Sequence, residues 1–136
     1  MNFSRSFHAA KAYGEVAVQS GVSEASPHKL VEMLFDGLIQ SLNGARGAFA
    51  RGDVSEKGRL IGKSVRILEE GLKAGLNHEN GGELAANLLS VYDFCILELT
   101  KANLHTHAAG LDTVLKTIEP IASAWHEIAD SGNRNI

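Results

Sequence analysis

The chain has 136 residues, 44% of them hydrophobic and 21% charged, with a formal net charge of -3. That suffices for one apolar core of ordinary soluble composition, and without any block of Lys and Arg to neutralise phosphates it excludes nucleic acid as the expected partner. Cys95 is alone and cannot close an internal disulfide, no apolar run nears the roughly 18 residues of a membrane span, and the N-terminus has no continuous apolar signal stretch, so the expected location is cytoplasmic, with no membrane insertion.

With two prolines and helical apolar spacing almost throughout, the pattern predicts one short helix and four long ones. Residues 4 to 20 carry Phe3, Phe7, Ala10, Tyr13 and Val16 or Ala17 on one face and stop at Gly21. A helix this short is marginal alone, so it is read as an N-terminal arm whose order comes from docking. Ser26-Pro27 is a strong start signal, and Leu30, Leu34, Leu38, Leu42 and Phe49 form the next stripe, ended by Gly52. Asp53 and Glu56 have capping-box spacing before a stripe of Leu60 or Ile61, Val65, Leu68, Leu72 and Leu76. Gly81-Gly82 reads as the turn that starts a helix from about 83 to 104, with Leu84, Leu88, Val91, Cys95, Leu99 and Ala102 as its core stripe. A last helix, about 108 to 129, runs along Leu111, Val114, Ile118, Ile121, Trp125 and Ile128, and Pro120 is expected to kink it without ending it.

Short loops make sequential helices antiparallel neighbours. The fold class is therefore all-α: an antiparallel up-down four-helix bundle with a short N-terminal helical arm. It is read as one domain over 1–136, with the arm at 1–20 and the bundle at 26–130. Gly37, Gly44, Gly47, Gly58, Gly62 and Gly71 fall inside helices and are read first as points of close helix approach, with a smooth groove for a partner backbone or helix pliancy as the alternative.

Few residues suggest chemistry. The six histidines show no Glu-x-x-His pair, and His126-Glu127-Ile128-Ala129-Asp130 has Asp130 where a zinc motif needs histidine, so they are read as solvated or capping, with no metal and no cofactor. His8 and Lys11 copy the spacing of histidine phosphotransfer bundles, the alternative functional reading. Cys95 lies on the core stripe and reads as a small buried hydrophobe. The informative feature is apolar surplus. Beyond its core stripe the helix at 83–104 carries Leu89, Tyr92 and Ile96 on one flank and Phe94 and Leu97 on the other, more than one stripe requires. Such a surplus suits a groove for an amphipathic partner segment, or a wide core under the arm.

The sequence resembles the FliS family of flagellar export chaperones. The residues that carry the likeness are Ala12-Tyr13 with Val18, the stretch from Glu24 through Ser26-Pro27-His28-Lys29-Leu30 to Gly37, Gly52-Asp53, Ile61-Gly62-Lys63, Gly81-Gly82-Glu83-Leu84, Val91-Tyr92-Asp93, Ala102-Asn103-Leu104 and Ala124-Trp125. The resemblance implies a cytosolic non-enzyme that binds the disordered C-terminal segment of flagellin, prevents premature polymerisation and aids delivery to the export apparatus. It also implies an arm that covers part of the binding surface. Tyr13, Val18, Leu89, Tyr92, Phe94, Ile96, Leu97 and Asn103 are the expected partner-binding residues, and a homodimer stays open.

Overall fold

A computed structural model describes residues 25–128. The N-terminal arm, with His8, Lys11, Tyr13 and Val18, lies outside the described residues, as does the tail beyond Ile128. The described chain forms four helices and no strand: α1 (Pro27–Arg51), α2 (Val54–Arg66, continued by a π-helical segment Ile67–Lys73), α3 (His78–His105) and α4 (Ala109–Glu127). The all-α bundle read from the sequence is the observed class.

Local signals act where expected. The Ser26 side chain accepts from Lys29 N, and Pro27 fills a position whose N–H would have no helical partner. Gly52 closes α1 in the left-handed region at φ 70, and Asp53 caps α2 by accepting from Glu56 N at 3.1 Å. Glu56 does not complete the box. Its carboxylate pairs with Arg59 at 2.7 Å instead. Asn77 caps a single turn before Gly82, whose φ of 52 and ψ of -126 only glycine adopts without strain, and the continuous helix of α3 follows it. α4 runs through Pro120 without ending.

Cross-contacts fix the antiparallel order. Early α1 meets late α4 at His28 and Trp125, and late α1 meets early α4 at Arg46 and Asp112, 3.2 Å apart. Lys57, early in α2, reaches Asn103 late in α3, whereas Lys73 pairs with Asp93 at 2.7 Å. The core between the helices holds Leu38 and Leu42 of α1, Leu68 of α2, Cys95 and Leu99 of α3, and Leu111, Val114 and Ile118 of α4, all fully buried. Each buried aliphatic side chain contributes about 1.5–3 kcal/mol. Burial pushes the Cys95 thiol up to about 11, with the Glu98 charge adding to the shift, as befits a core residue and not a nucleophile.

Two readings need correction. Tyr92 belongs to the core, 3% exposed, and not to a surplus flank. Leu84, assigned to the core stripe, is 51% exposed, and Ala85 is buried in its place. From Ala85 the buried positions run Tyr92, Cys95, Leu99 and Ala102, a stripe one residue out of phase with the expected one at its start. The glycines divide as well. A methyl group on Gly44 would meet Leu60 Cδ1 at 2.9 Å and one on Gly71 both Leu34 methyls at 3.1 Å, so close approach is right there. Gly58 and Gly62 have no neighbour nearer than 3.7 Å and are not packing points.

Candidate functional site

At the end of the bundle where α1 and α3 begin, the four helices do not close on one another. They leave an apolar cleft of about 360 Å³. Val31 and Phe35 of α1 form one wall, and Leu72, Gly75 and Leu76 at the end of α2 form the next. Leu84, Leu88 and Tyr92 come from α3, and Pro120, Ile121, Ala124, Trp125 and Ile128 from the last two turns of α4 and beyond. Tyr92 and Trp125 are nearly buried, whereas Leu84, Gly75, Pro120 and Ala124 stand exposed at the rim. An unfilled apolar cleft of this size suits apolar side chains delivered by a partner.

The cleft follows from the sequence locally. Gly75 and Leu76 of the connection between α2 and α3 line the cleft, with Leu84 just past the turn at Gly82. Trp125 is fixed in the opposite wall by α1. Its indole Nε1 donates to the His28 carbonyl at 3.0 Å, and its own carbonyl accepts from His28 Nε2 at 2.9 Å. The two rings stack at 4.8 Å with 13° between planes. One turn on, the nearly buried Glu32 carboxylate accepts from Lys29 Nζ at 2.9 Å and from His126 Nδ1. The Lys29 hydrogen bond, with a smaller share from His126, holds Glu32 below the usual carboxylate range against the opposing effect of burial. Among the described residues no group of three or more His, Cys, Asp or Glu could hold a metal ion.

The expected partner-binding residues fall in three places. Of those among the described residues, only Tyr92 lines the cleft. Leu89 and Ile96 are half-buried on the side of α3 that carries Asp93 and Asn103, the residues that meet α2; Asn103 itself is exposed. Phe94, 43% exposed, and Leu97, 54% exposed, lie on the outward face with Leu104 at 74%. Leu97 and Leu104, seven residues apart, share the face opposite Cys95. The sequence reading thus found the outward apolar face but missed the cleft, because it weighed helices one at a time and a cleft is a property of four helix ends together. The capping role read for the histidines is met by His28, which caps a carbonyl in the last turn of α4 from the start of α1, a partner the sequence reading did not name.

The sequence matches the family described as Flagellar protein FliS over residues 9–132. It is 46% identical to the flagellar secretion chaperone FliS of Salmonella typhimurium over 119 residues, 88% of each chain. It is 40% identical to FliSB of Pseudomonas aeruginosa, covering 89% of this chain and 95% of that one, and 35% identical to the FliS of Escherichia coli, covering 86% of each. An all-helical bundle with an open apolar cleft, joined to these likenesses over most of its length, places the chain in the FliS family of flagellar secretion chaperones, which is a family of chaperones and not of enzymes.

Proposed function

We propose that this chaperone binds the C-terminal segment of flagellin in the cytoplasm, keeps it from polymerising prematurely and aids its delivery to the export apparatus. The observation that carries the reading is the apolar cleft left open by all four helices, with the outward face of Phe94, Leu97 and Leu104 as a second apolar surface on the same molecule. An unfolded segment with spaced apolar residues can fill the cleft, continue along α3 and bury a large area at modest affinity per unit area. Tyr13 and Val18 of the arm, with Leu89, Tyr92, Ile96 and Asn103, complete the proposed contact set. No helix among the described residues is long and apolar enough to cross a membrane.

Calorimetry with a flagellin C-terminal peptide tests this. Binding with a negative heat-capacity change is expected, because apolar surface is buried. Leu84→Glu places a charge on the cleft rim at an already exposed position and is expected to weaken binding by about tenfold or more. No heat at tens of micromolar peptide, about the affinity expected of a weak specific complex, would reject the reading.

A further inference from the structure

We propose that His28 is a positioning residue for the partner site. On the reading of the cleft as that site, His28 holds the Trp125 indole in the wall that the partner meets. Trp125 sits in the last turn of α4, where backbone carbonyls have no helical donor ahead of them. Among the described residues its own turn supplies the Trp125 carbonyl with a long bond from Ile128 N, 3.3 Å. His28 Nε2 supplies the better donor at 2.9 Å from the first turn of another helix. The bond is returned, since the indole N–H donates to the His28 carbonyl at 3.0 Å. Each residue's ring therefore binds the other's backbone, and the stacked rings lie flat between.

Such an arrangement fixes both the depth and the rotation of the indole. It also sets the His28 tautomer, because a carbonyl only accepts: Nε2 carries a proton. With the indole N–H satisfied by α1, the ring offers the cleft its carbon surface and no unpaired donor. The cleft thereby stays apolar although a tryptophan forms part of its wall. Without the His28 ring the indole keeps its backbone acceptor but loses the stacked face and the bond that ties its own backbone to α1, so the ring can tilt or leave the wall. Either change spoils a surface shaped for apolar side chains.

Trp125 is the only tryptophan of the chain, so its emission reports this contact without labelling. Full-length wild type, His28→Ala and His28→Gln are compared by emission maximum, acrylamide quenching, thermal midpoint and flagellin-peptide titration. His28→Ala is expected to shift emission to the red, raise quenching and weaken the peptide about tenfold. His28→Gln keeps a planar side chain with an N–H donor and is expected to restore most of both. If His28→Ala does not fold, His28→Phe replaces it, since it keeps the stack and loses the donor. Unchanged emission and affinity in His28→Ala would overturn the proposal. So would weakened binding with unaltered emission, or a glutamine variant no better than alanine. If wild type binds no peptide, the cleft reading falls and this proposal with it. If Leu84→Glu weakens binding while both His28 variants bind like wild type, this proposal alone fails.

Discussion

The ammonium of Lys57 sits 5.2 Å from the centre of the Phe49 ring and donates to the Asn103 carbonyl at 3.3 Å. Lys57 is 5% exposed, so this is a lysine held inside the bundle. The acceptor belongs to the last turn of α3, and its neighbour Ala102 already takes the N–H of His107 at 3.0 Å. A cation at a helix C-terminus is favoured by the helix dipole as well as by the bond. Lys57→Met, which keeps the aliphatic stem, is expected to lower unfolding free energy by about 1–2 kcal/mol. Urea melts that place the variant level with wild type would show that packing of the stem is all that this lysine contributes.

The glycines give a second prediction with opposite signs. Gly58→Ala and Gly62→Ala add a methyl group where nothing lies nearer than 3.7 Å, so each should raise stability by up to about 1 kcal/mol through the unfolded chain. Gly110→Ala should do the reverse. Its methyl group would stand 3.1 Å from both the Glu98 carbonyl oxygen and Ala102 Cβ, and a backbone atom cannot swing aside. A loss of about 1–3 kcal/mol is expected. Three substitutions that move the melting temperature the same way would contradict the assignment.

Glu32 predicts the acid limb of the stability curve. Its folded pKa lies below the ordinary 4.5, so its pairing with Lys29 and His126 stabilises the fold above that value. Below 4.5 the unfolded chain takes up the proton first, so the contribution shrinks as pH falls and is gone once pH has passed through the lower, folded value. Glu32→Gln should be less stable than wild type near neutrality, and the gap should narrow as pH falls below the ordinary 4.5. A gap that is constant across the range would mean that the carboxylate charge is not what matters at this position.

The outward face of α3 supplies the fourth prediction. Replacing Phe94 and Leu97 together by serine removes exposed apolar area without opening the core, so stability should stay within about 0.5 kcal/mol of wild type. Flagellin-peptide affinity should drop if the partner continues along α3 beyond the cleft. An unaltered titration would confine the partner to the cleft.

Helix starts and stops were legible where they rest on neighbours in sequence, as at Ser26 and Pro27 and at Gly52 and Asp53, whereas the turn that Asn77 caps ahead of Gly82 was not. The core stripes of α1 and α4 were legible for the same reason, since one helix face needs only periodicity. Tyr92 and Leu84 were misassigned because periodicity alone does not say which of two adjacent stripes the neighbouring helices cover, and Leu84 stands at the rim of the open cleft. Lys57 and Gly110 drew no notice, since their partners Phe49, Asn103 and Glu98 are supplied by tertiary packing. The His28 contact spans 97 positions, beyond any local pattern.

The π-helical stretch Ile67–Lys73 has a consequence for chain length. Wider turns hold more residues over the same rise, so such a stretch can accommodate one residue more than an α-helix without passing the phase error on. Elsewhere in α2, deleting one residue would rotate everything after it by about 100° and carry Leu72 out of the core. Within 67–73 the same deletion can be taken up by reverting to the tighter helix, leaving Leu72 and Leu76 facing the cleft. Glu70, exposed in the middle of the stretch, is the residue whose removal the bundle should best survive. This is where a shorter relative could lose a residue and keep the same four-helix frame.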